Sequence, residues 1–305
     1  MPLSHRDGSM TAAATPFYEP TKAAMNLLTR FALALGLPLL LQVPQAHALD
    51  KLRIALIPSE DSRAMIRQSQ ALLDALGKKL GVKVEGFVAT DYNGVIEALR
   101  SKHVDVAYLG PFSYVKAAQV ANCEAFAVAE TRKNGTVAYH SQIIATPQSG
   151  IRSLADLKGR NFAFVDPTST SGYVFPMVAL KEAGIVPKDD FKNVIYTGAH
   201  DANILAVKNR RVDAATVADR ILAAAVEKGQ ISTNDYRLVW RSAAIPESPM
   251  VWRKDLPAAD KAKVKAAFLS LQGMQFGDQG VVTRYVETND RAYDSVRAAA
   301  KFARE

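Results

Sequence analysis

The segment Asp166-Pro167-Thr168-Ser169-Thr170-Ser171-Gly172-Tyr173 joins two kinds of periodicity. Before it, Asn161-Phe162-Ala163-Phe164-Val165 has the length and composition of a buried strand, and after it residues 173–183 carry apolar side chains at helical spacing. It therefore reads as a strand-to-helix turn. Consecutive hydroxyl residues and a glycine at a helix N-terminus place side-chain donors beside unpaired backbone N–H groups and the positive end of the helix dipole, a setting that suits an oxyanion. A single Ser would mean no more than an N-cap, and an ordinary cap remains the alternative reading.

Upstream of the turn, strands over 52–57, 82–89 and 104–108 alternate with helices over 62–80 and 94–102, and a helix over 112–121 and a strand over 125–129 follow. This β-α-β-α-β order predicts a mainly parallel sheet covered by helices. A second unit repeats it, with strands over 141–146, 161–165, 194–196 and 213–216 and a helix over 201–209. Further strands over 237–240 and 250–253 bracket Ile245-Pro246-Glu247-Ser248-Pro249, which reads as a crossing back to the first unit, and helices over 258–271 and 290–302 complete the chain. Two α/β lobes of ordinary domain size fit 305 residues better than one wound sheet. Ligands of such sheets sit outside the carboxyl ends of the strands, where Ser59, Glu60, Tyr92, Tyr108, Ser169 to Ser171 and His200 fall.

With 49% hydrophobic and 22% charged residues the chain is globular. The net charge of +8 is spread without a basic run or a basic stripe interleaved with aromatics, which argues against nucleic acid as a partner. Residues 25–48 read as an export signal: Met25 to Arg30 supply the n-region, 31–41 the apolar stretch, and Ala46-His47-Ala48 the small-x-small cleavage pattern. Residues 1–24 read as a spurious extension ahead of a true start at Met25. The expected mature protein begins near Leu49, without a spanning helix, in a periplasm. Cys123 is the lone cysteine and can form no internal disulfide, so a small buried apolar role is expected of it.

Beyond these readings the chain resembles the phosphonate-binding branch of the periplasmic solute-binding proteins that serve ABC transporters, including the phosphite and hypophosphite binders. The residues that carry the likeness are Asp166 to Tyr173, Asp91-Tyr92-Asn93-Gly94, Gly198-Ala199-His200-Asp201-Ala202-Asn203, Ala206-Val207, Val212-Asp213-Ala214-Ala215-Thr216, Ile245-Pro246 and Pro249-Met250-Val251-Trp252-Arg253-Lys254. The resemblance implies an α/β, two-lobed, Venus-flytrap (type II) fold. It divides the chain into a signal (1–48), the first part of lobe one (49–139), lobe two (140–246) and a return segment with C-terminal helices (247–305). It also implies a monomer that encloses a small phosphorus oxyanion and delivers it to an inner-membrane permease, without cofactor, metal or catalysis.

The family's anion cradle maps to Ser169, Thr170 and Ser171, with Tyr92, Tyr139 and His200 as further donors; His200 is able to donate from either nitrogen or to carry charge, and Tyr108 is expected in the core. Members that bind aminoethylphosphonate have two carboxylates where this chain has Arg220 and Ser248, with Asp219 and Glu247 one residue away. An ammonium unpaired beside Arg220 costs several kcal/mol. The resemblance therefore points to phosphite, methylphosphonate, hypophosphite or another non-amino phosphonate, including one whose anionic tail meets Arg220, with phosphate itself as a further alternative. Two other classes remain open. A periplasmic sensor or adaptor would bind the same anion and report to a receptor, and a hydrolase would use Ser171 or Ser169 with His200 and Asp201. The hydrolase lacks the G-x-S-x-G elbow, and the five His show no metal-ligand spacing.

N-terminal sequencing of the unprocessed product tests the start site: it should begin at Met25, and a product that begins at Met1 refutes the reading.

Overall fold

The computed structural model describes residues 49–131 and 137–304; the export-signal reading of 25–48, its cleavage site and the extension 1–24 lie outside the described residues. β1 (Lys51–Leu56), α1 (Ser62–Leu80), β2 (Lys83–Val88), α2 (Tyr92–Arg100), β3 (Val106–Tyr108), α3 (Pro111–Val120) and β4 (Cys123–Thr131) alternate as the apolar runs require. Carboxylate caps fix the helix starts: Asp61 accepts the Ala64 N–H at 2.8 Å and Asp91 the Gly94 N–H at 2.7 Å. These bonds satisfy amides that have no partner inside their own helices.

β5 (Ala138–Tyr139) then leads to β6 (Ser141–Ala145), β7 (Asn161–Phe164), α4 (Phe175–Glu182), α5 (Pro187–Asp190), β8 (Asn193–Tyr196), α6 (His200–Lys208), β9 (Ala214–Ala218), α7 (Asp219–Glu227) and β10 (Arg237–Arg241). The chain returns through β11 (Ile245–Pro246) to β12 (Pro249–Arg253), α8 (Ala258–Leu269), β13 (Met274–Gln275), β14 (Val281–Glu287) and α9 (Asp294–Arg304).

One sheet has seven strands in the order β13-β14-β4-β12-β3-β1-β2, and the other has five in the order β10-β6-β9-β7-β8. The two crossing strands β5 and β11 pair with each other antiparallel, with Tyr139 opposite Ile245. Both connections between the lobes thus run side by side, as a hinge needs.

The sheets are mixed, where the β-α-β order predicts mainly parallel ones. β1 is parallel to β2 and β3, but β12 runs antiparallel to both β3 and β4 because it enters the first sheet from the other lobe. In the second sheet β6 is antiparallel to β9 and β10, whereas β7 is parallel to β8 and β9. Sequence periodicity also does not anticipate β14: its register shifts between Val282 and Arg284, and such a bulge breaks the period-two pattern by which a strand is recognised.

Side chains of the second sheet alternate between two cores. Ile144, Ala163, Ala215 and Val217 face one side, and Ile143, Ala145, Phe162, Phe164 and Ala214 the other. In the first lobe, Cys123 is buried in the core and burial pushes its thiol up to about 12, which makes it an inert packing group.

The turn after β7 starts its helix earlier than the spacing predicts. A π-helical turn spans Thr170–Val174 before α4, with the Val174 N–H bonded to the Ser169 carbonyl at 3.1 Å. The Val165 N–H bonds the Gly172 carbonyl at 3.1 Å, which folds the turn back on the end of β7. A Cβ on Gly172 would lie 2.4 Å from the Val165 Cβ. Gly172→Ala should therefore destabilise the protein by about 1–3 kcal/mol, measured by urea denaturation; an unchanged midpoint would show that the turn has room.

Candidate functional site

Every residue expected in the cradle is buried, with exposures of 1% for Tyr92, 3% for Tyr139 and His200, and 2% for Ser169, Thr170 and Ser171. They come from strand ends and helix starts in both lobes. Tyr92 is the first residue of α2, Tyr139 lies in the crossing strand β5, the hydroxyl residues form the turn after β7, and His200 begins α6. The structure brings the two tyrosines to the turn: the Tyr92 hydroxyl stands against Ser169, and that of Tyr139 against Ser171 and Thr170, whereas the side-chain partner of His200 is the Ala218 N–H.

The turn is tied from behind. Ser141 Oγ donates to the Ser171 carbonyl at 2.6 Å and Thr216 Oγ1 to the Gly172 carbonyl at 2.8 Å. Ser169 Oγ accepts the Gly172 N–H at 3.0 Å as N-cap. Thr170 Oγ1 accepts the Phe112 N–H at 2.8 Å, a contact from lobe two to the start of α3 in lobe one. With its oxygen engaged, the Thr170 hydroxyl keeps its O–H to donate.

His200 resolves into one of its expected forms. Its Nδ1 accepts the Ala218 N–H at 3.1 Å, so the ring proton sits on Nε2. Burial pushes its pKa down to about 3, so the ring is neutral and donates only from Nε2. Its backbone N–H reaches the Ser59 carbonyl across the lobes at 2.9 Å. The carboxylate of Asp201 does not orient this ring: it accepts N–H bonds from Asp61 at 2.9 Å and Ala202 at 2.8 Å. The Ser–His–Asp arrangement is therefore not assembled.

Arg220 is half-buried at the first turn of α7 and engages two acids. Its Nη1 lies 2.9 Å from Asp278 Oδ2 and donates to the Asp278 carbonyl at 2.8 Å, and its Nε lies 3.4 Å from Glu247 Oε1. The guanidinium stacks over the Tyr139 ring at 5.1 Å. Burial alone would lower its pKa, but Asp278, Tyr108 and Glu247 outweigh that and raise it. Asp278 is held below the usual carboxylate range because Arg220 and the Tyr108 hydroxyl outweigh its burial, whereas Glu247 is raised because burial outweighs Arg220.

Ser248 contributes its backbone N–H to Glu247 Oε1 at 2.9 Å. Tyr108 is fully buried in the core as expected, but its hydroxyl also donates to Asp278 Oδ1 at 2.6 Å. Sequence reasoning misses Asp278, Glu247 as the partner of Arg220, and the charge compensation that they provide. The only local signal for Asp278 is its place between Gly277 and Gly280, both with positive φ in the β13–β14 loop. Among the described residues no group of three or more His, Cys, Asp or Glu is placed to hold a metal ion, and no helix is long and apolar enough to cross a membrane.

Residues 54–293 match a family model described as "ABC transporter, phosphonate, periplasmic substrate-binding protein". The chain is 34% identical over 236 residues to the phosphonates-binding periplasmic protein of Escherichia coli K12, covering 74% of this chain and 68% of that one. It is 30% identical over 270 residues to the phosphate-import protein PhnD of Mycolicibacterium smegmatis, covering 81% and 84%. Among solved structures, a binding-protein component of an ABC phosphonate transporter from Pseudomonas aeruginosa superimposes with a TM-score of 0.77 at 27% identity, covering 83% of this chain and 86% of that one.

One titration is expected near neutrality, at Glu60. Burial, with Asp278 and Asp201 adding to it and Lys228 and Arg220 opposing it, raises Glu60 from 4.5 to about 7. The folded protein then holds a proton that the unfolded chain has released, so Glu60 should make stability fall as pH rises through that interval and leave it flat above. Urea midpoints at about pH 5 and about pH 8, compared with Glu60→Gln, check this: the variant should lose that part of the decline.

Proposed function

The chain belongs to the periplasmic substrate-binding family of ABC phosphonate transporters, and we propose that its cradle holds a small phosphorus oxyanion, such as phosphite, methylphosphonate or another non-amino phosphonate, for delivery to an inner-membrane permease. The observation that carries this reading is the gathering of buried, neutral hydroxyls from both lobes, those of Tyr92 and Tyr139 against Ser169, Thr170 and Ser171; the Nε2–H of His200 is a further donor on this reading. The N–H groups at the start of the π-helical turn add dipoles of the same sign. Together they replace the water around a P–O oxygen with oriented dipoles.

On this reading residues 49–139 and 247–305 make one lobe and 140–246 the other, and closure occurs about 139–141 and 242–249. The protein is exported, cleaved near Ala48, and acts as a monomer with neither nucleic acid nor metal as a partner. It binds without catalysing a reaction, in keeping with a neutral His200 that lacks an acid behind it. Arg220 and Ser248 select among ligands. The acids that would meet an ammonium, Glu247 and Asp278, are already paired with Arg220, so an aminoalkyl phosphonate must compete with it.

Titration calorimetry tests the reading. Methylphosphonate and phosphite should bind more tightly than aminoethylphosphonate. Replacement of Ser169, Thr170 and Ser171 by Ala should remove binding, because hydrogen bonds to a charged group contribute about 1.5–3 kcal/mol each. Unchanged affinity in the triple variant would reject the cradle, and a wild-type protein that binds none of these anions would reject the function.

A further inference from the structure

A cavity of about 560 Å³ lies between the lobes on the far side of Arg220. Gln68, Gln275 and Gln279 line it from lobe one, and Gln142 and Tyr236 from lobe two. None of the cradle residues Tyr92, Tyr139, Ser169, Thr170, Ser171 or His200 lines it, whereas Arg220 and Asp278 do. Arg220 also touches a cradle residue, and Asp278 holds Arg220 from the other lobe. The Arg220 guanidinium stacks on Tyr139, whose hydroxyl meets Ser171 and Thr170, and Asp278 accepts from Tyr108. The ion pair therefore stands between the anion site and the cavity.

We propose that Arg220, held by Asp278 and Glu247, is the specificity-determining wall of the site, which admits phosphorus oxyanions with a hydrogen, hydroxyl or methyl substituent and excludes phosphonates with a long polar tail. The proposal rests on the anion-cradle reading above. Three features support it. The wall spans the cleft, since Arg220 belongs to α7 and Asp278 to the β13–β14 loop, so it is complete only when the lobes meet. Its charge is already compensated by two carboxylates, so Arg220 closes space without offering a counter-charge to the ligand. The space behind it is of the size that small-molecule sites occupy, and buried amide groups without partners open onto it. Gln279, 6% exposed, has neither amide atom hydrogen-bonded, and Gln142 Oε1 is also without a partner. Buried amides of this kind take water, or the hydroxyl of a ligand tail where a tail can reach.

The wall predicts a defined change in ligand range. Calorimetry with methylphosphonate and hydroxypropylphosphonate compares the wild-type protein with Arg220→Ala. Because Arg220→Ala strands two buried carboxylates, the triple variant Arg220→Ala/Glu247→Gln/Asp278→Asn, in which all three charges are removed, is measured beside it, with the ratio of the two ligands as the readout because the net charge rises by one, and cooperative melting verifies that each is folded. The wild type should prefer methylphosphonate by about 100-fold, and the preference should fall below about tenfold when the wall is removed, through a gain for the longer ligand. A wild type that binds both ligands within tenfold, or a folded variant with an unchanged ratio, would overturn the wall while leaving the anion cradle intact. Failure of the wild type to bind either ligand would overturn the cradle, and the wall with it.

Discussion

The carbonyls of Ser171 and Gly172 are held from behind by Ser141 Oγ, Thr216 Oγ1 and the Val165 N–H, and the character of the cleft follows from this tether. A short loop between a strand and a helix has both donors and acceptors to dispose of. By committing the acceptors to β6, β9 and the end of β7, the fold leaves the donor side of the turn, the start of a helix and its hydroxyls, as the surface that faces the opposite lobe. Gly172 is required because the tether brings the backbone so close to Val165 that a methyl group has no room. In the proposed cradle, backbone geometry sets the preference for an anion and the hydroxyl side chains refine it.

The cradle contains no uncompensated cation. His200 is kept neutral chiefly by burial, and its tautomer is fixed by the Ala218 N–H. Arg220 has two carboxylates in contact. A buried free cation would attract every anion and bear a large desolvation cost while the site stood empty. Oriented dipoles avoid that cost, and their directions make the arrangement selective for shape. The walls around the cradle then carry the discrimination that charge does not.

Much of this organisation is legible in the sequence because it rests on local patterns. The apolar runs mark β1, β7 and β9, and the hydroxyl turn with the His200 loop marks the proposed cradle. Where the sequence misleads, the cause is non-local. Strand direction in the mixed sheets depends on how the chain re-enters the first lobe after β11. The bulge in β14 hides its alternation. Arg220 reads as an uncompensated charge until Asp278, 58 residues away along the chain, is folded against it. Glu247 is next to a residue singled out from the sequence, yet only the direction of its side chain, toward Arg220, reveals its part.

The contacts between the lobes also bear on how a ligand controls closure. Phe112 with Thr170, Ser59 with His200, and Asp278 with Arg220 join the lobes with no ligand in their hydrogen bonds. Each of these groups finds water when the cleft opens, so a neutral hydrogen bond across the cleft contributes only about 0.5–1.5 kcal/mol net. For the ion pair, desolvation offsets much of the Coulomb attraction. The protein's own contacts across the cleft therefore weigh little in the balance between open and closed forms. An anion that satisfies the cradle donors makes contacts available only when both lobes are in place, and it shifts that balance by its differential affinity for the closed form. A ligand that reaches the turn but keeps Arg220 from Asp278 would gain the first set of contacts and lose the second. With the proposed wall, the selective step is its completion during closure, after the phosphorus oxygens have been bound.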